Sequence, residues 1–185
     1  MTLFRKKAAV LVALILASMA VSAVGLASPT RKDFTVFKKK VSFELPTDWQ
    51  VVEKEVGVPL KMLGPLFEER RPVVQLVPID LTDGQLSLGD KSKAEDSYKV
   101  SRLTWLQTFN GKSISFLPSK TYSANGKEVF QFGHLYSLNG ANFEEKSYYI
   151  RCNGQTFHLK TLVQVEHIEH WASVVQPIAD SFKCQ

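Results

Sequence analysis

The sequence is short of several things that enzymes commonly carry. It has no glycine-rich phosphate loop, no Gly-x-Gly-x-x-Gly dinucleotide fingerprint and no Gly-x-Ser-x-Gly nucleophile elbow. Cysteine is nearly absent, with Cys152 and Cys184 alone, so a cysteine-rich zinc site is excluded. Acidic residues are scattered. The adjacent pairs Glu68-Glu69 and Glu144-Glu145 would point to opposite sides of a strand and read as solvated loop charges, not as an acid–base couple. Aromatic residues, by contrast, are plentiful at 11%, and 44% of residues are hydrophobic. A chain of 185 residues with that composition folds as one ordinary globular domain, not a fibre or a disordered tail. No cofactor is expected.

The first residues carry an address. Arg5, Lys6 and Lys7 precede an uncharged apolar run from Ala8 to about Ala20, and small residues follow at Val21-Ser22-Ala23 and Gly25-Leu26-Ala27. A cationic start, an apolar stretch and a small-residue cleavage site make a secretory signal peptide over 1–27. An uncleaved anchor is the alternative, because Ala8 to Ala27 is long enough to enter a bilayer. With cleavage, residues 28–185 form a single exported domain, periplasmic or secreted, with no stable membrane insertion. No cysteine near the cleavage site offers a point for lipid attachment.

Removing that segment also changes the charge. The formal net charge of +5 falls to +2, with 20 basic residues against 18 acidic ones. So small an excess does not support a nucleic-acid partner. The run Lys38-Lys39-Lys40 reads as the solvated start of a strand. In an oxidising compartment the pair Cys152 and Cys184 suggests one disulfide tying the C-terminal end to a strand end. Free thiols remain an alternative, and a catalytic thiol lacks a nearby base.

Period-2 alternation places Val41, Phe43 and Leu45 on one face of a strand, ahead of a turn at Pro46-Thr47-Asp48 and a second strand from Trp49. From Val56 to Pro72, apolar residues are broken by Gly57, Pro59, Gly64 and Pro65, a pattern that argues against a central strand. An irregular hairpin or long loop is expected. It either folds over the sheet edge or offers Leu60, Leu63 and Phe67 to a partner. Val73–Val77 is a short strand.

Ser92-Lys93-Ala94-Glu95 has the form of a capping box at the start of a helix over 92–109. Tyr98, Trp105, Leu106 and Phe109 form its buried stripe, and Asn110-Gly111 its stop. Asn125-Gly126, Asn139-Gly140 and Asn153-Gly154 then mark hairpin turns 14 residues apart, predicting an antiparallel meander. His134 shares a strand face with Phe130, Phe132 and Tyr136 and reads as a hydrogen-bonded core residue, whereas His158 reads as outward. Trp171, Val174, Val175, Ile178 and Phe182 line one side of a final helix, which Pro177 should kink or split. At its start, Glu166-His167-Ile168-Glu169-His170 reads either as a polar helix end favoured by the dipole or as a metal site on His167 and His170.

The order of these elements resembles the PsbP-like family, which includes DcrB-like bacterial exported proteins. The residues that carry the likeness are Leu45-Pro46-Thr47-Asp48-Trp49 after an alternating strand, the Tyr/Phe-rich meander, and Trp171-Ala172-Ser173-Val174-Val175 leading through Ile178 to Ser181-Phe182. It would span about residues 34–184. The resemblance implies an α+β fold, a curved antiparallel sheet with helices packed on its faces in an α/β/α sandwich. It also implies a non-enzymatic binding, assembly or stabilising factor of the envelope acting on a protein partner. A metal-dependent hydrolase or metal-binding protein using His167 and His170 is one alternative, and a secreted effector or adaptor another.

Overall fold

The computed structural model describes residues 28–79, 91–124 and 126–185. The expected signal segment at 1–27 lies outside them. Among the described residues ten strands and two α-helices follow in order: β1 (Thr30–Val36), β2 (Lys39–Leu45), β3 (Gln50–Glu55), β4 (Val58–Leu63), β5 (Val73–Val77), α1 (Lys91–Thr108), β6 (Lys112–Ala124), β7 (Lys127–Leu138), β8 (Ala141–Cys152), β9 (Gln155–Gln164), α2 (Ile168–Asp180) and β10 (Lys183–Cys184). The strands form an antiparallel seven-stranded sheet, ordered β3-β4-β5-β9-β8-β7-β6, and a small sheet ordered β1-β2-β10.

The meander β6–β9 follows from its turns. Asn139 and Asn153 take φ of 51° and 50°, with Gly140 and Gly154 at 79° and 74°. Two successive residues at positive φ match the twist of the strands they join. The large sheet is α+β in class as expected but not notably curved. The ladders β7–β8 and β8–β9 run without a register shift, and shifts occur at the edge strand β6. Bulges bend strands, so a sheet whose middle has none stays even.

Alternation along β8 shows how the sheet is used. Tyr148 and Ile150 enter the main core with Phe43, Leu60, Met62, Leu159, Trp171, Ile178 and Phe182, under α2 and the small sheet. Tyr149 points the other way, into a second cluster with Ala94, Tyr98, Phe130 and Phe132 under α1. Both faces of the central strands are therefore interior.

Several sequence expectations change here. Val58–Leu63 is not a loop. It is an interior strand, and Leu60 and Met62 are wholly buried. Pro59 is tolerated because no ladder pair needs its missing N–H. The β3 pairs skip from Glu53↔Leu60 to Glu55↔Val58 opposite Lys54, whose φ is 62°, and the β5 pairing begins at Leu60. The first helix already runs at Lys91, so Ser92 lies inside it and does not cap it. Its buried residues are Ala94, Tyr98, Arg102 and Leu106, while Phe109 is exposed beyond the sheet and Trp105 only half-buried. Pro177 neither splits nor ends α2. It sits in the last turn, where only one intrahelical bond is lost, and Ser181 N–H still donates to the Pro177 carbonyl at 2.9 Å.

Candidate functional site

Three places concentrate polar chemistry. The first lies beneath α1. Arg102 on α1 reaches Glu145 on β8, Nη2 to Oε2, at 2.9 Å, and both side chains are buried. Glu145 is thus not a loop charge. Ser147 Oγ lies 3.3 Å from Glu145 Oε1 and 3.2 Å from His158 Nε2. His158 faces inward, stacked on Tyr149 at 4.2 Å, because this side of the sheet is also covered. His134 is buried as expected, 2.9 Å from Ser113 Oγ and stacked on Phe116 at 4.2 Å. Burial lowers its pKa to about 4, with Glu145 opposing and Arg102 assisting.

A serine, a histidine and a carboxylate in contact invite comparison with a hydrolytic triad. The connectivity is different. In a triad the acid orients the histidine, and the histidine takes the serine proton. Here acid and histidine both address Ser147, which has no exposed surface. The arrangement neutralises buried charge and fixes how α1 sits.

The second place joins residues that the sequence treated separately. Phe67 stacks on His170 at 4.0 Å and meets His167 and Trp171 edge-on at 5.2 Å and 6.4 Å. His167 is buried, and its Nδ1 lies 3.9 Å from Glu68 Oε2. Glu68 and Glu69 form the tip of a tight turn, with φ of 47° and 64°. His167 and His170 therefore both pack against the Phe67 ring. Among the described residues no three His, Cys, Asp or Glu side chains are grouped to hold a metal ion, which argues against the metal-dependent alternative. Of the expected contact residues, Leu60 has no surface to offer, whereas Leu63 and Phe67 are half-buried.

The third place is a groove of about 510 Å³ along the side of α2. It exists because α2 and the small sheet cover only part of a seven-strand face, leaving strands β6–β8 open beside them. Lys120 and Tyr122 of β6, Gln131 of β7 and Lys146 of β8 rise from its floor, with Val129, Tyr148 and Ile150 deeper in. Gln176, Ala179 and Asp180 of α2 make the wall. The Tyr148 hydroxyl donates to Gln176 Oε1 at 2.9 Å, and Gln176 Nε2 donates to Asp180 Oδ1 at 3.0 Å. Burial raises the pKa of Tyr148 and of Tyr122.

Lys127 closes one end. Its side chain is buried, and its ammonium donates to the carbonyls of Phe182 at 2.5 Å and Asp180 at 3.3 Å. Those carbonyls lie at and just past the end of α2, where backbone acceptors lack helical partners and cations are favoured. Burial lowers the Lys127 pKa, with Asp180 opposing. Beyond it, Cys152 and Cys184 stand with Cα atoms 6.5 Å apart and their sulfurs in bonding contact, linking the end of β8 to β10. The sequence reading missed this groove. Its only trace was polar residues alternating with core residues along strands β6–β8.

No protein-family model and no curated protein matches the sequence. Solved structures do match in fold. The solution structure of cyanobacterial PsbP (CyanoP) from Synechocystis sp. superposes with a TM-score of 0.57 at 14% identity, over 91% of this chain and 99% of that one. LpqN of Mycobacterium tuberculosis, described as involved in cell envelope biogenesis, gives 0.53 at 13% identity over 84% and 91%. The Ran-binding protein Mog1p of Saccharomyces cerevisiae gives 0.50 at 11% identity over 84% and 96%. The chain thus resembles the PsbP-like fold at a distance where architecture alone is shared.

Proposed function

We propose that residues 28–185 form an exported, non-enzymatic binding domain of the bacterial envelope, a PsbP-like α/β/α sandwich acting by contact with a protein partner. One observation carries this reading. Among the described residues the Glu145–Ser147–His158 group is sealed under α1, whereas the groove beside α2 is open and its lining holds no nucleophile–base pair. Proteins of similar fold include one described by its role in envelope biogenesis and one described as Ran-binding. Among the described residues no helix is long and apolar enough to cross a membrane. In this reading the segment 1–27 is removed on export, and Cys152 and Cys184 are oxidised outside the cytosol.

Two measurements test it. Mass spectrometry of protein from the producing cell should find an amino terminus just after Ala23 or Ala27 and a mass two hydrogens below the dithiol form. An intact, reduced chain in the cytosol would overturn the reading. A photo-crosslinking residue at Gln131, in the groove, should trap one protein in that compartment, and the same residue at exposed Ser123 should not.

A further inference from the structure

The charges around the groove suit one class of occupant. Lys120, Lys127 and Lys146 line it, against the single carboxylate of Asp180. Asp180 is already engaged by Gln176. Lys146 has a carboxylate partner, Glu144, at 3.0 Å. Lys120 has none among the described residues, and Lys127 is held by two carbonyl oxygens and the face of the Phe182 ring, with no carboxylate in contact. A buried ammonium without a carboxylate is costly, and neutral carbonyls offset only part of that cost. Lys183 adds positive potential at the same end, where the nearby Arg31 is paired with Glu44. Donors without protein partners among the described residues, the Tyr122 hydroxyl and the Gln131 amide, stand between the lysines.

Shape narrows the class further. The floor spans three neighbouring strands, the wall is one helix, and the side away from α2 is open. A trough of this kind admits a chain that enters and leaves, which an enclosed metabolite pocket does not.

We propose that the groove receives an extended acidic segment of the protein partner, its carboxylates set on the rim lysines Lys120 and Lys146, with the buried Lys127 ammonium adding positive potential at one end. This rests on the binding-domain reading above and adds the chemistry of the partner. Electrostatic complementarity of this kind steers encounter and selects partners.

The test uses the processed protein from the exported fraction. Three probes are titrated by fluorescence anisotropy or NMR: a labelled octapeptide of alternating Glu and Gly, the same peptide with Gln for Glu, and inorganic phosphate. The Glu peptide should bind at least tenfold more tightly than the Gln peptide, and more weakly as salt rises. The double variant K120E/K146E should lose at least tenfold. Lys39→Glu, on the β1–β2 hairpin and outside the groove lining, should change little. Lys127 also caps α2, so the two rim lysines carry the test, with an unchanged melting curve as the folding control. Equal binding of both peptides, no binding, or an equal loss in K39E would overturn the proposal. So would phosphate binding as tight as the Glu peptide, which would make this a small-anion site. If the peptides fail but the crosslink at Gln131 still traps one protein, the acidic segment falls and the binding domain stands. If both fail, both fall.

Discussion

Arg102 and Glu145 show how a single buried pair sets the terms for its neighbourhood. Each carries a charge with almost no access to water, and each is tolerated because the other is 2.9 Å away. Removing one partner leaves an uncompensated charge, so Arg102→Leu or Glu145→Gln alone should each lower unfolding stability by about 3 kcal/mol. The double variant R102L/E145Q should lose clearly less than the two singles together, as a denaturant double-mutant cycle would measure. His134 gives a pH signature. Its folded pKa, about 4, lies below its ordinary 6.5, so the unfolded chain takes up the proton first. Its contribution is full above pH 6.5 and is lost as pH falls towards 4, by an amount on the order of 3 kcal/mol. In His134→Phe, the stability lost between pH 6.5 and 4 should be smaller than in the wild type. Glu95, whose pKa is lowered mainly by hydrogen bonds from Lys99 and Ser119, acts in a lower window. Its stabilisation is present above pH 4.5 and lost below. That His134 is interior was legible, because its strand neighbours are aromatic. That His158 is interior was not, since alternation reveals two faces but not that both are covered.

Elements were legible where local chemistry decides them and obscure where tertiary pairing does. The Asn139-Gly140 and Asn153-Gly154 turns and the α2 stripe stand in the structure where the sequence puts them, while Asn125 lies outside the described residues. β4 does not, because Pro59 survives only through the irregularity of β3 across from it, a fact about another strand. The stripe of α1 shifted for a similar reason: Arg102 takes a core position that only Glu145 makes affordable. Two changes probe elements directly. Gly140→Ala, at φ 79°, should destabilise the β7–β8 hairpin by about 1–2 kcal/mol in a thermal or denaturant melt. Cys184→Ser would free a loop whose ends are 32 positions apart and should cost about 3–4 kcal/mol under oxidising conditions and nothing under reducing ones.

Across the whole molecule, the groove was invisible in the sequence because it is a product of incomplete coverage. Nothing in β6, β7 or β8 says how far α2 and the small sheet will extend over them. The pairing of β2 with β10 is equally remote: Val41 meets Cys184, Ser42 meets Lys183, and Gln185 N–H donates to the Lys40 carbonyl at 3.0 Å. The earliest hairpin of the described chain thus waits for its last residues to complete its sheet. Contacts so distant along the chain form late. A polypeptide emerging amino end first would hold the β1–β2 pair without its third strand until Lys183 and Cys184 had followed. Under the proposed export, that small sheet would be completed only after most of the domain had crossed.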